Sequence, residues 1–383
     1  MNKSSFLVGG ALLLSALFTT SCKEIMSNLD QPVSSYLELK TTTAAIAPGK
    51  TYQIEASTIS TSTIDYESSN PNVAIVDPSG KITALEDGEA TITVKVAANE
   101  NYLAGSAQFN VKVQSPLTLE AKADGKINVY FNSVTLEEPI VYTIVGGKSK
   151  SITASEAIDV KKGQKVQFES KNDHLATGTW NFVGISPDVQ CAVYGNVMSL
   201  ITPEGDFNSN TTITKNWALS NLFSWSNNIV NHDKYKLVLP ATTLSERCYS
   251  DMFAGCTSLT KAPALPAENL AKHCYNYMFG GCTALTEAPE LKAATLAYGC
   301  YCAMFMNCSK LSKVTCLATT NAVDALGLWL SGAGTDASVT KRTLVRAEAN
   351  TNWTNNDSAW NWGVDANWWV PTGWTFDPEI PNE

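Results

Sequence analysis

Histidine is almost missing from this chain of 383 residues: His174, His232 and His273 are the only three, and they lie far apart in the sequence. Acid–base catalysis and transition-metal binding both draw on the imidazole ring first, so both chemistries start short of parts. Charge is also sparse, with 16% Asp, Glu, Lys and Arg and a net charge of −9. A nucleic-acid binder needs a basic face, and this balance excludes that class of partner. Long apolar runs are absent: Phe6–Phe18 covers 13 residues, whereas a bilayer core takes about 20. Serines occur without a nucleophile elbow, carboxylates without a facing pair, and glycines without a phosphate cradle. No catalytic residue, metal site or cofactor is therefore assigned. What the chain does have is apolar surface, 44% of its residues. That rules out wholesale disorder, and at this length two or three domains are expected.

The N-terminus reads as an export signal: Lys3, the apolar run Phe6–Phe18, then Thr19-Thr20-Ser21-Cys22. A cysteine directly after small residues resembles the lipobox of bacterial lipoproteins, although Thr19 stands where a leucine is usual. The resemblance implies cleavage after residue 21, lipidation of Cys22, and a lipid-anchored location at the cell outer membrane, exposed at the surface. An ordinary signal peptide with an incidental cysteine is the alternative. Residues 22–34 are polar, contain Pro32 and read as a flexible tether.

From residue 35 to 114 the pattern is β. Ala90-Thr91-Ile92-Thr93-Val94-Lys95-Val96 alternates, and turn signals recur at Pro48-Gly49, Asn70-Pro71, Ser79-Gly80 and Asp87-Gly88. Ser68-Ser69-Asn70-Pro71, Val73-Ala74, Val76, Gly80-Lys81-Ile82-Thr83-Ala84 and Gly88 resemble the bacterial Ig-like domain (group 2). That resemblance implies a β-sandwich serving as a stalk or an adhesive module. Residues 115–200, with near-alternating runs at Lys126–Phe131 and Lys165–Glu169, read as a second small β-sandwich that also caps the segment after it.

The strongest signal is a repeat. Cys248-Tyr249-Ser250-Asp251-Met252-Phe253-Ala254-Gly255-Cys256-Thr257-Ser258-Leu259 returns 26 residues later, beginning at Cys274, and in a drifting third copy beginning at Cys300. A weaker leading copy carries Leu222-Phe223 and Ile229. The column Thr243, Asn269, Thr295 suits helix N-caps, and Glu246 completes a capping box with Thr243. Gly255, Gly281 and Asn307 suit a left-handed helix stop. Leu244, Cys248 and Met252 recur at four-residue steps between these marks, which predicts one short helix and one short strand per repeat. A single unit of that kind cannot bury its own apolar face, so stacking must supply the core. The residues resemble the BspA-type leucine-rich repeat of bacterial surface lipoproteins, through Met-Phe-x-x-Cys-Thr-x-Leu-Thr and the stretch at Leu239–Leu244. The expected architecture is multidomain: an Ig-like β-sandwich, a second small β-sandwich, an α/β leucine-rich-repeat solenoid over residues 201–320, and a Trp-rich C-terminal cap and tail over 321–383.

Nine cysteines follow Cys22. Cys248, Cys274, Cys300 and Cys256, Cys282, Cys308 form columns, not clustered pairs, so with Leu259, Leu285 and Leu311 they read as the inward core of the repeats. Buried free thiols act as small hydrophobes; a disulfide or a metal is the alternative. Six of the ten tryptophans fall between Trp353 and Trp374. Trp353, Trp360, Trp362, Trp368 and Trp369 are candidate ligand platforms, or else the apolar cover of the solenoid's end. Lys261, Glu287 and Lys313 form an outward column of alternating sign and are further candidate ligand-binding residues, or else a solvated face that serves solubility. Asp357-Ser358-Ala359 resembles an O-glycosylation sequon. Together these features point to a non-catalytic surface adhesion protein that recognises a protein or glycan on a host or a neighbouring bacterium. An accessory protein of polysaccharide uptake and a structural surface protein are the competing readings.

Overall fold

The computed structural model describes residues 32–356 and 368–378, and among them the protein is almost wholly β. Cys22, Trp360, Trp362 and Asp357-Ser358-Ala359 lie outside the described residues. Contacts divide the chain into two units. One holds the described residues up to Ala44 with Thr51–Thr83 and Ala90–Val111; the other holds Ala45–Lys50, Ala84–Glu89 and the chain from Lys112 onward.

In the N-terminal β-region, Thr43–Ile46, Gly105–Val113, Gly88–Val96 and Ile64–Ser68 lie side by side in one sheet. Thr51–Gln53, Lys81–Ala84 and Ala74–Val76 form a second. Period-two alternation sends alternate side chains to opposite faces. Ala90, Ile92, Val94 and Val96 are accordingly buried while Lys95 is exposed. The Asn70-Pro71 turn is closed by the Asn70 carbonyl, which accepts from the N–H groups of Val73 and Ala74 at 3.0 and 3.1 Å.

From Lys112 onward two antiparallel sheets come first. One holds Glu156–Val160, Gly125–Asn132, Asn181–Pro187 and Ala176–Gly178; the other runs Ser149–Ile152, Ile140–Ile144, Lys165–Ser170, Leu117–Ala121, Cys191–Asn196. Cys191–Asn196 is where the architecture changes. One edge pairs antiparallel with Leu117–Ala121, and the other pairs parallel with Ile229–Asn231 and Leu237–Val238. All six of its residues are buried. Gly195 sits there at φ +86°, and a Cβ on it would fall 2.1 Å from the Pro116 carbonyl oxygen, so no side chain fits. The hydrophobic core continues from Leu117 to Trp374 as one cluster.

The repeats then stack as coils, but the helix expected in each is not there. Among the described residues the helical content is one 3-10 turn, Val197–Leu200, and no α-helix. The α/β expectation is thereby corrected to β, and the backbone bonds give the reason. The N–H groups of Cys248, Ser250, Met252, Ala254 and Cys256 each bond back three residues. The alternate N–H groups of Tyr249, Asp251, Phe253 and Gly255 leave the coil for the carbonyls of Cys274, Asn276, Met278 and Gly280, at 2.7–3.1 Å. A helix would claim every N–H for itself; here half of them bind the next coil.

Backbone angles agree with this arrangement. Arg247, Asp251 and Gly255 have φ of 56°, 58° and 69°, and His273, Tyr277, Gly281 and Gly299, Ala303, Asn307 repeat the pattern. Positive φ at the third residue of a four-residue turn is the type II signature. Each coil is therefore a chain of overlapping turns with a strict period of four. Left-handed geometry costs roughly 1–2 kcal/mol at a non-glycine residue. Inter-coil hydrogen bonds, each about 0.5–1.5 kcal/mol net, and buried ring stacks offset it. Phe223, Phe253, Phe279 and Phe305 stack at centroid distances of 5.5, 5.4 and 5.8 Å, and Tyr249, Tyr275 and Tyr301 at 5.9 and 6.0 Å. Thr243 and Thr295, read from the sequence as helix caps, make bridges to Thr212 and Thr320 instead. The Glu246 N–H donates to Asn216 Oδ1 at 3.2 Å, not to the Thr243 hydroxyl as a capping box requires. Through the later repeats and the tail, Glu290–Leu291, Lys313–Cys316, Arg342–Arg346 and Trp374–Asp377 pair in parallel.

Candidate functional site

The cysteine columns face inward. Cys248, Cys256, Cys274, Cys282, Cys300 and Cys308 are buried and unpaired, as are Cys191, Cys302 and Cys316. Burial pushes the thiols of Cys248, Cys282 and Cys300 up to about 12 and those of Cys256, Cys274 and Cys308 well above their ordinary value. A thiolate nucleophile needs the opposite shift and an open approach, so the sulfurs are packing atoms. Leu259, Leu285 and Leu311 lie in the same core at 1% exposure or less.

The charged column lies outside. Lys261 and Glu287 form a parallel bridge, and their side chains pair at 2.8 Å while remaining 59% and 60% exposed. Lys313, also exposed, opens the strand Lys313–Cys316. An exposed pair of this kind contributes about 0.2–1 kcal/mol, so the column confers solubility and surface character more than stability.

The tail tryptophans divide by burial. Trp353 is 2% exposed and packs on Trp329 at 5.6 Å and edge-on to Trp368 at 4.8 Å. It is a core ring, which corrects its reading as a ligand platform: a ring with no exposed face has nothing to offer a partner. Trp368 is half-buried against the same cluster. Trp369 is different. Its carbonyl accepts the Trp329 indole N–H at 3.0 Å, and the residue lines a cleft of about 120 Å³ with Leu328, Gly332, Asn356 and Pro371.

A second aromatic position, missed from the sequence, lies on the first coil. Trp225 has φ +61° and is 69% exposed. A Cβ built on Gly255 would lie 2.4 Å from the Trp225 ring, so the indole rests directly on that glycine. Gly281 is the equivalent residue one coil on, and a Cβ there would meet nothing nearer than Gly255 Cα at 3.5 Å. Beside this glycine floor run Asn227, Thr257 and Thr283, all exposed. The Thr257 hydroxyl lies 3.3 Å from Asn227 Oδ1, and Ser309 Oγ donates to the Thr283 carbonyl at 3.3 Å. The sequence did contain a signal: matching Phe223 to Phe253 places Trp225 in the Gly255 column. Nearby, Arg247 lies over the Trp217 ring at 4.8 Å, and Trp180 is 75% exposed.

Comparison with known proteins gives one family match: the bacterial Ig-like domain (group 2), over residues 36–102. No curated protein matches the chain.

Proposed function

We propose that this chain is a lipid-anchored, surface-exposed binding protein, held to the outer membrane through Cys22 and recognising a host or bacterial macromolecule through the outer wall of its stacked coils. The Ig-like match at residues 36–102 supports a stalk or adhesive segment ahead of that wall. The resemblance of the repeats to the BspA type supports adhesion as the role.

The observation carrying the reading is the inter-coil hydrogen-bond ladder, whose donors run from Trp217 to Asn307. It fixes equivalent residues of successive coils side by side, so outward side chains such as Lys261 and Glu287 stand in register on a rigid wall. A partner meeting that wall finds groups already ordered, which lowers the entropic cost of binding. The reading is non-catalytic, because the thiols that could act as nucleophiles are buried and held protonated.

Two measurements test it. Labelled palmitate should enter the full chain and not Cys22→Ser, and protease added to intact cells should remove the chain from the surface. Purified full chain should then bind arrayed extracellular-matrix proteins or bacterial surface polymers. Failure of labelling sinks the anchor, and absence of any binding sinks the adhesive role.

A further inference from the structure

We propose that Trp225, the glycine floor of Gly255 and Gly281, and the adjoining amide and hydroxyl row form a binding trough for a neutral glycan chain. The proposal deepens the reading of the coils as a binding wall, and names the chemistry of one part of it.

The indole is the first argument. An exposed tryptophan exposes costly apolar surface, and a free rotor would fold its ring against the protein at any available edge. Trp225 instead lies on Gly255, where any side chain would collide with it, and stays 69% exposed. One π-face rests on bare backbone and the other is open. The electron-rich face of an aromatic ring attracts the positive edge of C–H groups, and a pyranose ring presents such a face with its hydroxyls pointing sideways.

The second argument is what borders the ring. Asn227, Thr257 and Thr283 are exposed and occupy corresponding positions on three successive coils. All three are uncharged donors and acceptors, matching sugar hydroxyls and carrying no charge to balance a phosphate or a charged peptide. Beyond the indole, the position above Gly281 is open, which leaves room for a second sugar unit on the floor.

The third argument excludes an extended peptide. Peptides that join a sheet or ladder use free main-chain groups. Here the N–H groups of Trp225, Gly255 and Gly281 are already bonded to Ala254, Gly280 and Met306, at 2.6, 2.7 and 2.7 Å. The floor has no main-chain donor left to give, so recognition must come from the ring face and the side-chain row.

The test is calorimetric titration of the purified full chain with maltohexaose, cellohexaose, laminarihexaose and xylohexaose. At least one should bind, and Trp225→Ala should weaken that binding by about tenfold or more, the loss typical of a central aromatic anchor. Gly281→Asn provides a variant that keeps its fold, since Asn307 already occupies the equivalent position of the next coil at φ +60°. It should fill the trough and weaken binding with unchanged cooperative melting. Binding of none of the four sugars overturns the proposal, as does parental affinity in both Trp225→Ala and Gly281→Asn. A chain that binds matrix protein but no sugar loses the trough and keeps the adhesive reading. One that binds sugar but is never found outside the cell does the reverse.

Discussion

Cys282 donates its thiol proton to the carbonyl of Phe253, one coil earlier, across 3.1 Å; Cys256 to Phe223 and Cys308 to Phe279 repeat the bond at 3.1 and 3.0 Å. Each sulfur thus ties the end of one coil to the ring ladder of the coil before it.

This geometry predicts chemical silence. Iodoacetamide at pH 8 should leave every cysteine from Cys191 to Cys316 unmodified in the native protein, because burial holds back both approach and ionisation. After denaturation in guanidinium all nine should react, as mass spectrometry would count. Native labelling of a column cysteine would show the coils open.

Phe279 stacks between Phe253 and Phe305 at 5.4 and 5.8 Å and is fully buried. Phe279→Ala should cost about 3–5 kcal/mol, the range for deleting a core aromatic ring, and Cys282→Ala about 1–3 kcal/mol through a lost bond and a small void. Urea melts of both variants would measure the order. A Cys282→Ala loss equal to that of Phe279→Ala would contradict the ranking.

Gly195→Ala should be more damaging than its single methyl suggests. The new Cβ would meet backbone, the Pro116 carbonyl, at the strand where antiparallel pairing changes to parallel. Backbone cannot rotate away as a side chain can, so a loss of at least about 3 kcal/mol is expected, visible as a lower melting temperature or as insoluble expression.

Asp251 gives a pH dependence. Burial raises its pKa above 3.8, while the Ser250 hydroxyl at 2.6 Å and Arg247 pull the other way. A carboxyl with a raised folded pKa holds its proton more tightly in the fold. Its contribution is complete below the unfolded value and is lost as pH rises through the folded one. Asp251→Asn removes that ionisation and suits the positive φ. The variant should be more stable than the parent at pH 7, with the gap closing as pH falls to 3.8 and below. Denaturant midpoints across that range decide it; a gap independent of pH would assign the effect elsewhere.

The repeat was legible because identical inward residues must recur wherever coils share a core: Phe253 and Phe279, or Cys256 and Cys282, stand out by eye. The local conformation was not, and the cause is specific. Leu244, Cys248 and Met252 recur every four residues, close to the 3.6 of a helix, but here four is the length of a pair of turns. Gly255, Gly281 and Asn307 were read as tolerating left-handed geometry, which they adopt. What the sequence could not convey is that Arg247, Asp251 and Tyr277 adopt it too, since only bonds from a neighbouring coil make that affordable. Among the candidate site residues, the tryptophans show a similar limit. Composition marked the tail as aromatic, yet only packing separates the buried Trp353 from Trp369 at its cleft. Trp225 stands alone in sequence and becomes conspicuous only over Gly255.

The ring ladder keeps its spacing whatever the connecting loop does. Ser220 and Ser250 are joined across 30 residues, whereas Asn276 reaches Cys302 across 26, yet the phenylalanines of those coils stay 5.4–5.8 Å apart. Length can therefore be added between coils without disturbing their registry, and whole coils can be gained or lost in steps of one ring spacing. Height of the stack and variety along its edge thereby become two separately adjustable quantities, one set by the count of coils and the other by the loops between them.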